Sequence, residues 1–213
     1  MGIAPGTPAS ESSVAETDSA GSDSGAASRP GAPRILLISG STRPGSTNTA
    51  ALRTFADIAA PDCTAELFTG LVDIPAFVPG DQPAPPAVHA LRERLAAADA
   101  VVFCAPEYAG FIPGSLKNLL EWTVGAADLH EKPVAWISVA APGRGEGAIT
   151  SLRTVLGYVG AVEIESACRR ITVLGSMVGA DGTIADATVR QALAESVAAI
   201  GAYLSAAAAP REL

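Results

Sequence analysis

The run Ile35-Leu36-Leu37-Ile38 carries no polar side chain and breaks abruptly into Ser39-Gly40-Ser41-Thr42-Arg43-Pro44-Gly45-Ser46-Thr47-Asn48. Uncharged apolar runs of this kind read as buried strands of parallel sheets. After Asn48, the residues Ala51, Leu52, Phe55, Ile58 and Ala59 recur at helical spacing. The pattern predicts a strand over Ile35–Ser39, a polar glycine loop, and a helix to Ala59 that Pro61-Asp62 breaks. Thr64–Phe68 reads as a second strand, and Thr69–Pro86 as a long loop rich in Pro, Gly and Asp. Loops of that length are often functional or flexible. Val88–Ala98 has helical spacing, with Leu91 and Leu95 on one face.

Ala100–Ala105 is the next uncharged strand, and it runs into Pro106-Glu107-Tyr108-Ala109-Gly110-Phe111-Ile112-Pro113-Gly114. A helix follows from about Ser115, apolar on more than one side through Leu116, Leu119, Leu120, Trp122 and Val124. That surplus suits a subunit interface as well as a core. Val134–Val139 is a further strand, Ala140–Gly147 a third glycine loop, and Ile149, Leu152, Val155, Leu156 and Val159 mark a helix. Ala161–Ile164 and Ile171–Leu174 are short strand candidates, and Asp181-Gly182 is a turn. A last helix over about Asp186–Ala207 carries Val189, Leu193, Val197, Ile200 and Leu204 on one stripe. Strands alternating with helices predict a doubly wound α/β fold with a parallel sheet.

Residues 1 to about 33 interrupt this regularity with Ala, Gly, Ser, Pro and Thr. Such a segment buries too little apolar surface to offset its ordering entropy, so 1–33 is expected to be a disordered tail and 34–213 the folded domain. The tail lacks the basic start and apolar stretch of a secretory signal, and no run is long enough to cross a membrane. The formal net charge of −8 argues against nucleic acid and anionic membranes as partners. Three scattered cysteines, Cys63, Cys104 and Cys168, read as buried thiols in a reducing cytoplasm. With only His89 and His130 and no Cys/His ligand spacing, no metal site is expected. No G-x-S-x-G elbow is present, which disfavours a serine hydrolase.

The chemistry gathers in the three loops. A helix start leaves backbone N–H groups unpaired and carries partial positive charge. Small residues let the backbone close on an anion, hydroxyls add donors, and Arg43 adds a fork that fits phosphate. Gly40 and Gly45 have the glycine spacing of a nucleotide-triphosphate loop, but Ser46 stands where its Lys belongs, and the G-x-G-x-x-G fingerprint does not occur. A terminal monophosphate remains. An ordinary capped turn explains Ser46 or Thr47 but not Arg43 among so many hydroxyls. In a doubly wound sheet ligands bind at the carboxyl ends of the strands, where all three loops lie. Pro106, Glu107 and Tyr108 offer backbone and a ring against a flat heterocycle. Gly143 and Gly145 offer close backbone approach with N–H groups. A flat ring with one phosphate describes flavin mononucleotide (FMN).

These motifs, Ser39 to Asn48 and Pro106-Glu107-Tyr108 through Ile112-Pro113-Gly114-Ser115-Leu116-Lys117-Asn118, resemble the paired motifs of the NADPH-dependent FMN reductase family. The resemblance covers the chain from about Arg34 to the last helix. It implies a flavodoxin-like fold of five parallel strands with helices on both faces. It implies that Ser41, Arg43, Ser46, Thr47 and Asn48 hold the FMN phosphate. Pro106, Glu107, Tyr108 and Ala109 would line the ribityl chain and ring, and Ala141, Gly143 and Gly145 would approach the polar edge. Many members have Asn at the place of Ala109 and Ser at that of Phe111. Ala109 removes a possible hydrogen bond and Phe111 adds an apolar wall. Lys117 and Asn118 match the motif and are expected to act structurally.

The expected function is hydride transfer from NADPH (or NADH) through FMN to a small acceptor such as free flavin or a quinone, by a ping-pong route. The flavin carries the chemistry, and no protein residue is expected to be catalytic. Tyr108, Phe111 and Arg144 are expected to meet the donor or acceptor, although a solvated loop charge accounts for Arg144 equally well. A homodimer or homotetramer is expected. Three rivals stay open: a flavodoxin-type electron carrier that binds FMN without oxidising NADPH, a flavin-free nucleotide or phosphate module, and a reductase specialised for a quinone, metal oxyanion or azo dye.

Overall fold

A computed structural model describes residues 31–60, 62–80 and 83–209. The expectation of a disordered tail falls almost wholly outside the described residues, as does Pro61. The elements in order are β1 (Arg34–Ser39), α1 (Thr47–Ala59), β2 (Thr64–Phe68), α2 (Pro86–Ala97), β3 (Ala100–Cys104) and α3 (Gly114–Val124), then β4 (Pro133–Ser138), α4 (Glu146–Tyr158), β5 (Val162–Glu163), β6 (Arg169–Arg170) and α5 (Ala187–Ala208). Strand order is β2-β1-β3-β4-β5, with β6 also beside β4, and every pair is parallel. This is the flavodoxin-like order, whose switch point lies between β1 and β3.

Side chains alternate across the pleat, so each central strand feeds two cores. Leu37 and Val102 face α1 and α5, where Leu52, Phe55, Leu193 and Ile200 are buried. Leu36, Val101 and Phe103 face α2, α3 and α4, where Leu91, Leu95, Leu120 and Leu152 are buried. Burial of a side chain of this size contributes about 1.5–3 kcal/mol, and the sheet is held from both faces.

The structure moves one expected strand and sharpens other expectations. The strand expected over Ile171–Leu174 forms two residues earlier, at Arg169–Arg170. A 3-10 turn over Glu165–Ala167 separates the two short strands, so β5 pairs with the start of β4 and β6 with its end. The five-strand parallel path is as expected, with β6 as a short sixth strand beside β4. Ile171 and Val173 instead send single N–H bonds to Ser138 and Val139 and bury their side chains. The apolar surplus of α3 is absorbed within the chain: Leu116, Leu119, Leu120 and Trp122 are buried, and only Val124 is exposed. That helix therefore gives no reason of its own for a subunit interface. Finally, the stretch after β2 is tethered. Phe77 N–H donates to Asn118 Oδ1 at 2.8 Å, and Asn118 Nδ2 and Trp122 Nε1 each donate to the Pro75 carbonyl at 2.9 Å. Phe77 also packs edge-on against Trp122, with ring centroids 5.0 Å apart. Asn118 thus does structural work, as does Lys117, which pairs with Glu121 at 2.7 Å.

Candidate functional site

The loop between β1 and α1 begins with a close crossing. Gly40 N–H donates to the Cys104 carbonyl at 2.9 Å, and a Cβ at Gly40 would come within 2.7 Å of the Ala105 methyl. Glycine is needed here to let β1 and β3 leave the sheet side by side. Ser39 Oγ and Thr49 Oγ1 share a hydrogen bond of 2.8 Å, which ties the strand end to α1. Ser46 caps α1: its hydroxyl accepts from Asn48 N–H at 3.2 Å. Asn48 is buried, and its Oδ1 accepts from the Cys104 thiol at 3.4 Å. Burial pushes that thiol far above the usual cysteine range, so it stays a neutral donor. Ser46 and Asn48 therefore set the loop's shape. Thr42, Arg43, Pro44 and Gly45 remain exposed, and the first turn of α1 contains no acidic residue.

The loop after β3 is a tight hairpin. Tyr108 and Phe111 exchange N–H···O bonds of 2.9 and 3.0 Å. Between them Ala109 and Gly110 both have positive φ, +50° and +81°. Two left-handed central residues make a type I′ turn, for which Asn-Gly is the preferred pair. Ala109 therefore carries backbone strain that Asn would relieve. The turn lifts Tyr108 and Phe111 into solvent, at 53% and 64% exposure.

Glu107 also has a structural role. Its Oε2 accepts from Gly147 N–H at 2.8 Å and Ala148 N–H at 3.3 Å. The carboxylate thus caps α4, whose formal N-cap, Gly145, is left-handed at φ +86° and offers no side-chain acceptor. Two further contacts fasten the hairpin to α4. Ile112 N–H donates to Ser151 Oγ at 3.0 Å, and a Cβ at Gly147 would overlap the Gly110 carbonyl oxygen. Neither Gly147 nor Ser151 was marked by the sequence pattern, because their partners stand 37 and 39 positions earlier in the chain.

The loops frame two cavities on either side of the α1 start. One, of about 240 Å³, is lined by Thr47, Asn48, Pro106, Glu107, Ala141, Arg144 and Gly145, all marked from sequence. The other, of about 270 Å³, takes in Ser41, Arg43 and Ser46 together with Arg53. Tyr108, Ala109, Phe111 and Gly143 lie outside both linings. No ion pair among the described residues involves Arg43, Arg53 or Arg144. Among the described residues, no three His, Cys, Asp or Glu side chains are grouped as metal ligands would be. No described helix is long and apolar enough to cross a membrane.

The arrangement offers an anion site at the start of α1, a cleft between the second and third loops, and an aromatic hairpin nearby. The sequence profile of the NADPH-dependent FMN reductases matches residues 33–171. A quinone reductase of Escherichia coli is 35% identical over 106 residues, which cover 47% of this chain and 56% of that one. An NAD(P)H-dependent FMN reductase of Pseudomonas aeruginosa is 35% identical over 122 residues, covering 56% and 64%. The chain thus spans little more than half the length of the curated relatives it matches. Among solved structures, an NAD(P)H:(acceptor) oxidoreductase from Paracoccus denitrificans superposes with a TM-score of 0.73 at 25% identity, covering 82% of this chain and 98% of that one.

Proposed function

The chain belongs to the NADPH-dependent FMN reductase family, and from that premise we propose that it uses FMN to pass electrons from NADPH or NADH to a small acceptor. Free flavin and quinones are the acceptor classes that the named relatives suggest. The observation that carries the reading is the contrast between two helix starts. The carboxylate of Glu107 fills that of α4, whereas the α1 start has no acid in its first turn and has beside it Arg43, which makes no ion pair among the described residues. An anion is stabilised at such an end by dipole, amides and guanidinium together. The donor set fits FMN in kind: a phosphate end at α1 and a cleft with small residues and backbone for a flat ring.

On this reading Ser41, Arg43, Ser46, Thr47 and Asn48 hold the phosphate. Pro106, Ala141 and Gly145 give the ring backbone contact at close range. Glu107 holds the cleft shut from behind by capping α4. Tyr108 and Phe111 supply apolar surface that excludes water from the donor or acceptor. A bound flavin would supply the hydride-accepting and electron-releasing chemistry, which asks of the protein only position and polarity. Donor and acceptor occupy the same place in turn, which gives ping-pong kinetics.

Residues 34–213 form the reductase domain in this proposal, and 1–33 a tail without a part in the chemistry. The protein works as a homodimer or homotetramer in the cytoplasm, a compartment that suits its three free thiols. The test is anaerobic: the protein is loaded with FMN, NADPH is added, and the visible flavin absorbance is followed. Rapid bleaching is the expected result. Tight FMN binding without bleaching would mark an electron carrier instead, and failure to bind FMN would end the proposal.

A further inference from the structure

We propose that Cys104 is a positioning residue for the cofactor: its thiol starts a one-way chain of hydrogen bonds through Asn48 and Ser46 that leaves the Ser46 hydroxyl proton to donate to a phosphate. The inference rests on the reductase reading above and deepens it, naming a residue outside the site that sets the site's polarity. Cys104 ends β3, opposite Ser39 at the end of β1. It is fully buried and lines neither cavity. Its carbonyl accepts from Gly40 N–H at 2.9 Å, and its thiol donates to Asn48 Oδ1 at 3.4 Å. One residue thus holds the start of the first loop through its backbone and the start of α1 through its side chain.

The direction of each bond follows from the groups that make it. An amide side chain has an oxygen that only accepts and a nitrogen that only donates. The thiol at Oδ1 therefore turns Nδ2 the other way, and Nδ2 donates to Ser46 Oγ at 3.4 Å. The backbone N–H of Asn48 donates to the same oxygen at 3.2 Å. A serine hydroxyl has two acceptor lone pairs and one proton. With both lone pairs engaged, its proton must point elsewhere, and among the described residues the Ser46 hydroxyl donates to none. Ser46 is 2% exposed and lines the larger cavity together with Ser41 and Arg43. A buried donor without a partner is costly, and an ionised phosphate, rich in acceptors, removes that cost. Hydrogen bonds that run in one direction also polarise one another, which strengthens the last donor. A thiol that only filled space would account for the burial of Cys104, but not for its sulfur lying on the amide oxygen of a residue at the site.

The test titrates the full chain with FMN and with riboflavin, which lacks the phosphate. Cys104→Ala should raise the Kd for FMN about three- to tenfold and leave that for riboflavin unchanged. Cys104→Ser keeps a donor in place and should bind FMN like the wild type, even where its buried hydroxyl lowers the melting temperature. In an Asn48→Ala background, Cys104→Ala should have no further effect on FMN. In the flavin-free protein, the infrared S–H band that Cys104→Ala removes should shift when Asn48 is replaced by Ala. Equal FMN affinity in the wild type and Cys104→Ala would overturn the proposal, as would an unshifted S–H band. So would an equal loss for FMN and riboflavin, which marks a packing defect, or a Cys104→Ser variant that binds no better than Cys104→Ala. If the wild type binds neither flavin, the reductase reading fails, and the same three proteins titrated with inorganic phosphate decide whether the chain serves an anion.

Discussion

Helices α1 and α4 begin at the same edge of the sheet and treat their unpaired N–H groups in opposite ways. The α4 start is closed by the protein itself. Glu107 reaches across from another loop to accept two of its N–H groups, and Glu146 in its first turn pairs with Arg170 at 2.8 Å. The α1 start carries a serine cap, no acid in its first turn and an arginine without an ion pair among the described residues. Both ends have the same dipole. What separates them is whether negative charge comes from the fold or is left to a ligand. On the proposed reading, the closed end positions the hairpin and the open end binds the ligand.

Changes at the closed end should therefore damage the fold, and changes at the open end should damage binding alone. The largest effect is expected from Gly147→Val. Its side chain would overlap the Gly110 carbonyl, a backbone group that cannot swing aside. The cost should approach the upper end of overpacking, about 3 kcal/mol, lowering the melting temperature by about 6–12 °C. Hairpin displacement should weaken FMN binding as well. A variant that melts like the wild type would show that the hairpin is not fastened to α4.

Arg43→Ala should do the reverse. Loss of a charge-assisted bond of about 1.5–3 kcal/mol should raise the FMN Kd by one to two powers of ten. The melting temperature of the flavin-free protein should not move, because Arg43 is exposed and supports nothing else in the fold. Unchanged FMN affinity on titration would break the comparison at its centre, since the open helix end would then bind no phosphate.

This contrast also marks what could be read from the sequence. The α1 start is a local device. Cap, glycine, arginine and hydroxyls follow one another within Ser39–Asn48, so their chemistry was visible in the order of residues. The doubly wound sheet was visible for the same reason, as strands and helices announce themselves by period. The α4 start is non-local. Nothing in Glu107 itself says that it caps a helix 40 positions later, and it was grouped with the ring-lining residues beside it. Gly147 looked like one more loop glycine, although its partner is the carbonyl of Gly110. The misplaced sixth strand has the same origin: Ile171 and Val173 have strand composition, but a 3-10 turn decides which residues meet β4. The surplus on α3 was visible as surplus, whereas its destination in the chain's own core was not.

Removing the carboxylate tests the closed end more gently. Glu107→Ala takes away the cap of α4 and should cost about 1–2 kcal/mol, the range of a lost helix cap. The contacts of Ile112 and Gly110 with α4 remain, so FMN affinity should fall less than in Arg43→Ala. Thermal melting and flavin titration on the same samples give both numbers. If binding falls further than stability accounts for, Glu107 faces the ligand rather than α4.

The smallest change sits at the hairpin tip. Ala109 holds φ +50°, a conformation that costs an alanine roughly 1–2 kcal/mol. Glycine removes that cost but adds about 0.5–1 kcal/mol of chain entropy in the unfolded state. Ala109→Gly should therefore stabilise the protein by about 0.5–1 kcal/mol, seen as a rise of one to a few degrees in melting temperature. Asn tolerates the same backbone with less entropy to lose, so Ala109→Asn should stabilise at least as well. Neither variant alters the α1 start, so FMN affinity should stay the same in both. A gain in stability with unchanged affinity would show that the hairpin's strain belongs to the closed, self-supporting side of the molecule. A large change in affinity would mean that residue 109 touches the flavin, and the division between the two helix ends would have to be redrawn through the hairpin.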